Sequence, residues 1–369
     1  MRSLTRNNQD FFLQLLKTGL WADVESTDIL NQGVTESVNW EEMYQLAEEQ
    51  SVVGLVLAGI EHSYVKPPQE LLLQWIGEVQ ILEQQNKAMN NFVAQLNKRL
   101  WQNKIYGLLV KGQGVAQCYE KPQWRACGDI DLLMDDNNYE KAKDLLIPLA
   151  DEVQGEEIWK KHQTLIIKDF DIELHGKMPF GLSHNADKVL DEVIDDVLKR
   201  GCARVWTHNN SDIYLPNADN DVIIIFTHLL RHFFIEGVGL RQICDWCRLL
   251  YRYSSELDIR LLESRIKKAG LMSEWKAFAA LAVVYLGMPV EVMPFYDARF
   301  KVKGERVLER ILKCGNFGHN HDLSYRAKYS GMTYKLVALW RRINDFAGFT
   351  RIFPIDAPKF FVHYVFRKI

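Results

Sequence analysis

Apolar residues recur at helical spacing through the first hundred positions. Residues 8–18 and 40–62 each carry one apolar face, and the spacing predicts a helix over each stretch. Pro67-Pro68 breaks the pattern, and 69–103 then predicts a single long amphipathic helix. At Lys104 the period changes. IYGLLV (105–110) is a continuous apolar run of strand length, followed by the turn KGQG and a short helix over 114–120. Residues 129–134 predict a second strand and 137–150 a helix, while TLIIK (164–168) and FDIELHG (170–176) meet at Lys168-Asp169 as an antiparallel hairpin. From about residue 185 the helical period returns, over 219–234, 240–253, 257–270 and 273–287, with Gly270 and Gly287 placed as C-caps. The last eighty residues are aromatic and basic, with helical periodicity around 331–346. The expected architecture is α+β: an N-terminal helical region (1–103), a small mixed-sheet α/β core (104–180) and a larger C-terminal helical region (181–369).

Composition narrows the function classes. The 369 residues are 47% hydrophobic and 25% charged, and 45 basic against 48 acidic side chains leave a net charge of −3. Such a balance gives no electrostatic footprint for duplex nucleic acid, although it leaves a local basic cleft open. No run approaches the roughly 18 apolar residues of a membrane span, and the N-terminal apolar run is too short and interrupted for a signal peptide. A cytoplasmic protein is therefore expected. Six cysteines in a chain of this length do not make a disulfide framework. Cys244 and Cys247 would need His319 and His321 to form a zinc site, yet the cysteine pair lies in a helical pattern without a knuckle turn, which favours two buried helix cysteines.

The chemistry concentrates in the α/β core. Asp129 and Asp131 stand two apart in RACGDIDLLM, so a strand would aim both carboxylates the same way. Two desolvated carboxylates repel, and a positive group, most often a divalent metal, relieves them. The second hairpin strand carries Asp171, Glu173 and His175 on one alternating face, offering a third acid. Lys111-Gly112-Gln113-Gly114 forms a strand-to-helix turn in which glycines let the backbone approach a ligand. It is not a P-loop, because Gln113-Gly114 stands where Lys-Ser/Thr would follow, and no G-x-G-x-x-G is present in this turn.

The order of glycine turn, Asp-x-Asp strand and third acid resembles the DNA polymerase beta-like nucleotidyltransferase superfamily. More closely, LLVKGQGVAQCYEKPQWRACGDIDLLM resembles a bacterial group described as uncharacterised nucleotidyltransferases, with further likeness at IELHG (172–176) and GLRQICDW (239–246). The resemblance covers roughly residues 105–250. It departs from the superfamily in the turn, which is usually Gly-Ser or Gly-Gly, and in the third acid, which is usually aspartate.

That likeness implies a nucleotidyltransferase core and an NTP substrate. Asp129 and Asp131 would bridge two Mg²⁺ ions, and Glu173 would complete the metal on the acceptor side, with Asp171 its rival as third acid. The backbone from Gly112 to Gly114, with Gly128 nearby, would hold the phosphates. Lys111 and Arg125 would either neutralise triphosphate charge or form structural salt bridges. His175 would be a ligand, a proton acceptor or a histidine satisfied by a neighbour. Farther along, His228 and His232, and Arg241 and Asp245, share helical faces at four-residue spacing. The histidine pair reads as a polar stripe beside a cleft. Arg241–Asp245 reads as an intrahelical salt bridge or as part of a wall facing the acceptor. The acceptor itself is a small molecule or peptide, with a tRNA end left open; a non-catalytic nucleotide-binding regulator is the alternative function.

Overall fold

The computed structural model describes residues 6–21, 38–200, 203–316 and 331–368. Its centre is a five-stranded sheet in the order β1-β2-β5-β4-β3. The strands are β1 (Leu108–Val110), β2 (Ile130–Leu133), β3 (Glu152–Val153), β4 (His162–Ile167) and β5 (Phe170–His175). β2 and β5 are parallel, and every other pairing is antiparallel, so the sheet is mixed.

Alternation along β2 and β5 sorts their side chains between two faces. Ile130, Leu132, Ile172 and Leu174 are buried in an apolar layer with Met89, Phe92 and Leu96 of helix α4 (Gln69–Gln102) and Tyr139 and Leu146 of α6 (Asp136–Leu146). Asp131, Leu133, Glu173 and His175 take the opposite face. α4 is thus the backing of the sheet. Ahead of it lie α1 (Arg6–Leu20), α2 (Trp40–Glu49) and α3 (Val53–Glu61). α1 and α3 cross through paired glycines, since a Cβ on Gly19 would overlap the Leu55 carbonyl and one on Gly59 the Leu15 carbonyl.

The expected single helix over 40–62 is two. Ser51 takes a left-handed φ of 55° between α2 and α3, and the buried Gln50 at that break accepts from the Leu240 N–H. The expected hairpin at Lys168-Asp169 is present, both residues having positive φ, as a two-residue turn between right-twisted strands favours.

Three strands escaped the sequence reading. β3 is a two-residue edge strand. Within the stretch read as helical, β6 (Ala203–His208) and β7 (Ser211–Pro216) form a second hairpin, turning at Asn209-Asn210 with φ of 48° and 57°. Asparagine tolerates that conformation, and Asn-Asn between alternating runs was the signal overlooked. A helix over Lys301–Cys314 buries Val307, Leu308 and Ile311 in the region expected to be helical, at bounds the sequence reading had not given.

C-terminal to the sheet, α7 (His184–Arg200), α8 (Ala218–Ile235), α9 (Leu240–Arg252), α10 (Ile259–Ala269) and α11 (Met272–Leu286) build a second, larger core around Phe226, Trp246, Trp275 and Phe278. Two further helices, Gly331–Thr350 and Asp356–Lys368, add Phe346, Phe349 and Phe360 to it. Ile213 and Leu215 of β7 return to the α4 layer. No helix among the described residues is long and apolar enough to cross a membrane.

The glycine crossing yields a stability test. Gly59→Ala should destabilise the fold by at least about 1–3 kcal/mol, because the methyl meets a backbone carbonyl that cannot rotate away. Urea unfolding would show it, and an unchanged midpoint would mean that α1 and α3 do not cross so closely.

Candidate active site

The parallel register of β2 and β5 sets Asp131 beside Glu173 and Leu133 beside His175. Antiparallel pairing sets Val110 opposite Asp131, so Lys111 leaves β1 at the level of the aspartates, and His162 opposite His175. Oxygens of Asp129, Asp131 and Glu173 lie within 4.8 Å of one another. Asp171, one alternation earlier, is exposed at the far end of β5 and stays outside this group.

At separations near 4 Å each carboxylate pair repels by about 4 kcal/mol at an effective dielectric of 20, so the group needs cations. Two side chains supply them. The Lys111 ammonium sits 2.5 Å from Asp131 Oδ1, and His175 Nε2 lies 2.8 Å from the same oxygen and 3.3 Å from Glu173 Oε2. Asp131 is 1% exposed, so neither contact is diluted by solvent. The sequence reading called for a positive group, most often a divalent metal, beside the aspartate pair; in the fold, Lys111 and His175 stand there.

Titration reflects these contacts. Burial opposes the charge on Lys111, but Asp131, Asp129 and Glu173 together outweigh it and raise its pKa above the ordinary lysine value. Asp131, then burial, push Asp129 up, against the pull of Lys111. Burial raises Glu173, but the facing imidazoles of His162 and His175 and the charge of Lys111 bring it well below the usual range. Burial depresses His175, and its bonds to Asp131 and Glu173 more than restore it, so its pKa ends above 6.5.

Lys111 reaches its partner from an uncommon backbone conformation, φ 59° and ψ −147°, which a side-chain-bearing residue seldom adopts. Gly112 follows at φ 34°, where a Cβ would come within 3.1 Å of the Asp129 carbonyl. These two residues line a cavity of about 360 Å³, whose lining also includes all three acids. Gln113 and Gly114 turn away, contrary to expectation. Gln113 is buried against α4, donating to Asn86 Oδ1 at 3.1 Å, and Gly114 packs on Leu215. The helical turn that starts at Gly112 rotates successive residues by about 100°, so only its first residue faces the cavity. Gly128 is exposed and does not line the cavity either.

Arg125 and Asp245 close one end. The guanidinium donates to Asp245 through Nε at 2.9 Å and NH2 at 2.6 Å, and the Tyr119 hydroxyl donates to the same carboxylate at 2.7 Å. The expected Arg241–Asp245 helix pair does not form: Asp245 takes the better-matched fork of Arg125, and Arg241 donates to the Ala126 carbonyl at 2.6 Å. Arg241 still lines the cavity, its pKa lowered by burial and by nearby Arg125. His228 and His232 line the α8 wall with Arg231; burial and then Lys111 hold His228 far below its ordinary value, while His232 faces Glu236 at 2.8 Å. Cys244 and Cys247 are buried in the helical core, and His319 and His321 lie outside the described residues.

The sequence reading missed His162, Lys160, Lys177 and Arg231, all on the cavity wall. His162 was within reach, because starting the third strand at 162 rather than 164 pairs it with His175.

A mixed sheet brings three acids together beside a strand-to-helix turn, the arrangement that a resemblance to nucleotidyltransferases implies. The family model described as "Uncharacterised nucleotidyltransferase" matches residues 36–287, and the chain belongs to that family. No curated protein and no solved structure matches the chain.

Two measurements test this electrostatic design. Asp245→Ala strands the buried Arg125 guanidinium and should cost about 3–5 kcal/mol in chemical denaturation; a loss under 1 kcal/mol would mean that the pair is solvated. His175 has a folded pKa above its unfolded 6.5, so its contribution is complete below about 6.5 and disappears as pH rises through the folded value. Without added metal, melting temperature should therefore fall from pH 6 to 9 more in the native protein than in His175→Gln. Parallel curves would refute the raised value.

Proposed function

We propose that the protein transfers a nucleoside monophosphate from an NTP to a hydroxyl or phosphate group of a small molecule or peptide. The observation that carries this reading is the convergence of Asp129, Asp131 and Glu173 on the cavity that Lys111 and Gly112 also line. Three hard oxygen donors in one group fit Mg²⁺, which prefers oxygen and retains waters for substrate phosphates to replace. Asp129, Asp131 and Glu173 would hold two such ions. When bound, the ions supply charge for the attacking and leaving oxygens of an in-line displacement.

The chain's own residues do the rest. The Gly112 backbone approaches the triphosphate, and Lys111 moves from Asp131 to its phosphate oxygens once the carboxylates are otherwise neutralised. The acceptor oxygen bonds to the α-phosphorus as the bond to the β-phosphate bridging oxygen breaks, and pyrophosphate leaves. Glu173, nearest the two imidazoles, favours the deprotonated acceptor. Arg231 and His232 on α8 face the acceptor side. Arg125 stays with Asp245 and shapes the pocket rather than moving to phosphate.

Asp131→Asn keeps the shape and removes one charge. Transfer should fall by several orders of magnitude, since such clamping supplies several kcal/mol to the transition state. Melts with and without Mg²⁺ and each NTP check this before the acceptor is known. Equal stabilisation of both proteins by Mg²⁺ plus NTP would defeat the two-metal reading. Metal-dependent binding lost in the variant, with no transfer by the native protein to any acceptor, would favour a nucleotide-binding regulator.

A further inference from the structure

His162 is left unexplained by the carboxylate cluster. Its Nε2 is buried without a hydrogen bond, 3.3 Å from Glu173 Oε2 but off the line that such a bond requires. His175 Nε2 lies at the same 3.3 Å from the same oxygen, and all three donor atoms fall within 4.8 Å of one another. The rings stack at 4.8 Å between centroids and 17° between planes, because the two residues are direct partners across β4 and β5. Both imidazoles thus present the same nitrogen to one carboxylate.

We propose that His162, His175 and Glu173 form a nitrogen-rich cation site beside the Asp129–Asp131 pair, His175 Nε2 exchanging its 2.8 Å contact with Asp131 for the ion, and that the site takes a divalent transition metal such as Zn²⁺ or Co²⁺ in preference to Mg²⁺. Ligands about 2.0–2.2 Å from an ion at tetrahedral or right angles stand on the order of 3.0–3.4 Å apart, which the two N–O separations match. Two imidazoles and one carboxylate suit borderline metals, whereas Mg²⁺ prefers oxygen alone. Glu157 supplies an outer carboxylate: its Oε1 lies 3.7 Å from His162 Nδ1, and backbone bonds between the two residues hold it there. A carboxylate behind the other ring nitrogen orients a ligating histidine and makes it more basic. The cavity leaves the remaining coordination positions to water or to an anionic group of a substrate.

The test uses the full chain and CoCl₂ as probe, in excess Mg²⁺, with visible absorption as readout. The native protein should bind one Co²⁺ that Mg²⁺ does not displace and show the d–d bands of nitrogen ligation. His162→Ala should weaken binding by at least about a hundredfold, since losing an outer partner alone costs 10–100-fold. His162→Phe keeps a ring on His175 but offers no nitrogen, and should behave alike even if His162→Ala folds poorly. Asp129→Asn should retain the bands. Displacement by Mg²⁺, native affinity in His162→Phe, or equal loss in Asp129→Asn would each overturn the site. Glu173 is shared with the proposed catalytic cluster, but this readout needs no nucleotide or acceptor. Loss of nucleotidyl transfer as a function would leave the Co²⁺ result standing, and the reverse also holds.

Discussion

Charge balance around Asp131 is the constraint on which the site depends. A carboxylate that is 1% exposed, with two more within 4.8 Å, is tolerable only if cations reach it as the chain folds. Lys111 arrives from β1 and His175 from β5, so the ion contacts form only when three strands are in register. A slip of one residue in β5 would turn Glu173 and His175 into the apolar layer and send Ile172 and Leu174 to the carboxylates. The apolar packing against α4 therefore fixes the polar site on the other face. The uncommon backbone at Lys111 belongs to the same arrangement, since the turn must deliver an ammonium to Asp131 and at once bring Gly112 against Asp129.

A second buried ion pair ties the sheet to the helices. Arg125, in the loop before β2, and Asp245, on α9, meet through two hydrogen bonds, with Tyr119 on the same carboxylate. Asn86 of α4 donates to the carbonyls of Gln123 and Arg125 at 2.7 and 2.9 Å, holding that loop from the opposite side. The loop that leads into Asp129 is thus gripped by elements more than a hundred residues apart. Removing one partner costs more than the pair contributes, because the other is left buried and charged. The constellation specifies where α9 sits, and with it the wall formed by Arg241.

The pocket carries both charges. Asp129, Asp131 and Glu173 meet at the β2–β5 junction, and Lys160, Lys177 and Arg231 line the same wall with Glu157, Glu236 and Asp245. An electrically balanced chain can therefore hold a polyanionic nucleotide locally without a basic surface. His228, its pKa lowered by burial and then by Lys111, and His175, its pKa raised by Asp131 and Glu173 in spite of burial, are the same residue type driven in opposite directions by their surroundings.

Local pattern alone determined much of this protein. The run of IYGLLV, the same-face Asp129 and Asp131, and the alternation of FDIELHG placed the first, second and fifth strands and named the acids that converge. Those features are encoded by neighbours a few residues apart, where strand period dictates direction. Tertiary structure decided the rest. It chose Glu173 over Asp171 because the parallel register with β2 brings Glu173, not Asp171, level with Asp131. It turned Gln113 onto α4 and Gly114 onto Leu215 of β7, and gave Asp245 to Arg125 rather than Arg241. Each of these is a pairing across 27 to 120 residues of chain or a choice between partners of equal chemical type. Sequence spacing carries no information about such distances, because they are fixed only when separate strands and helices pack into one body.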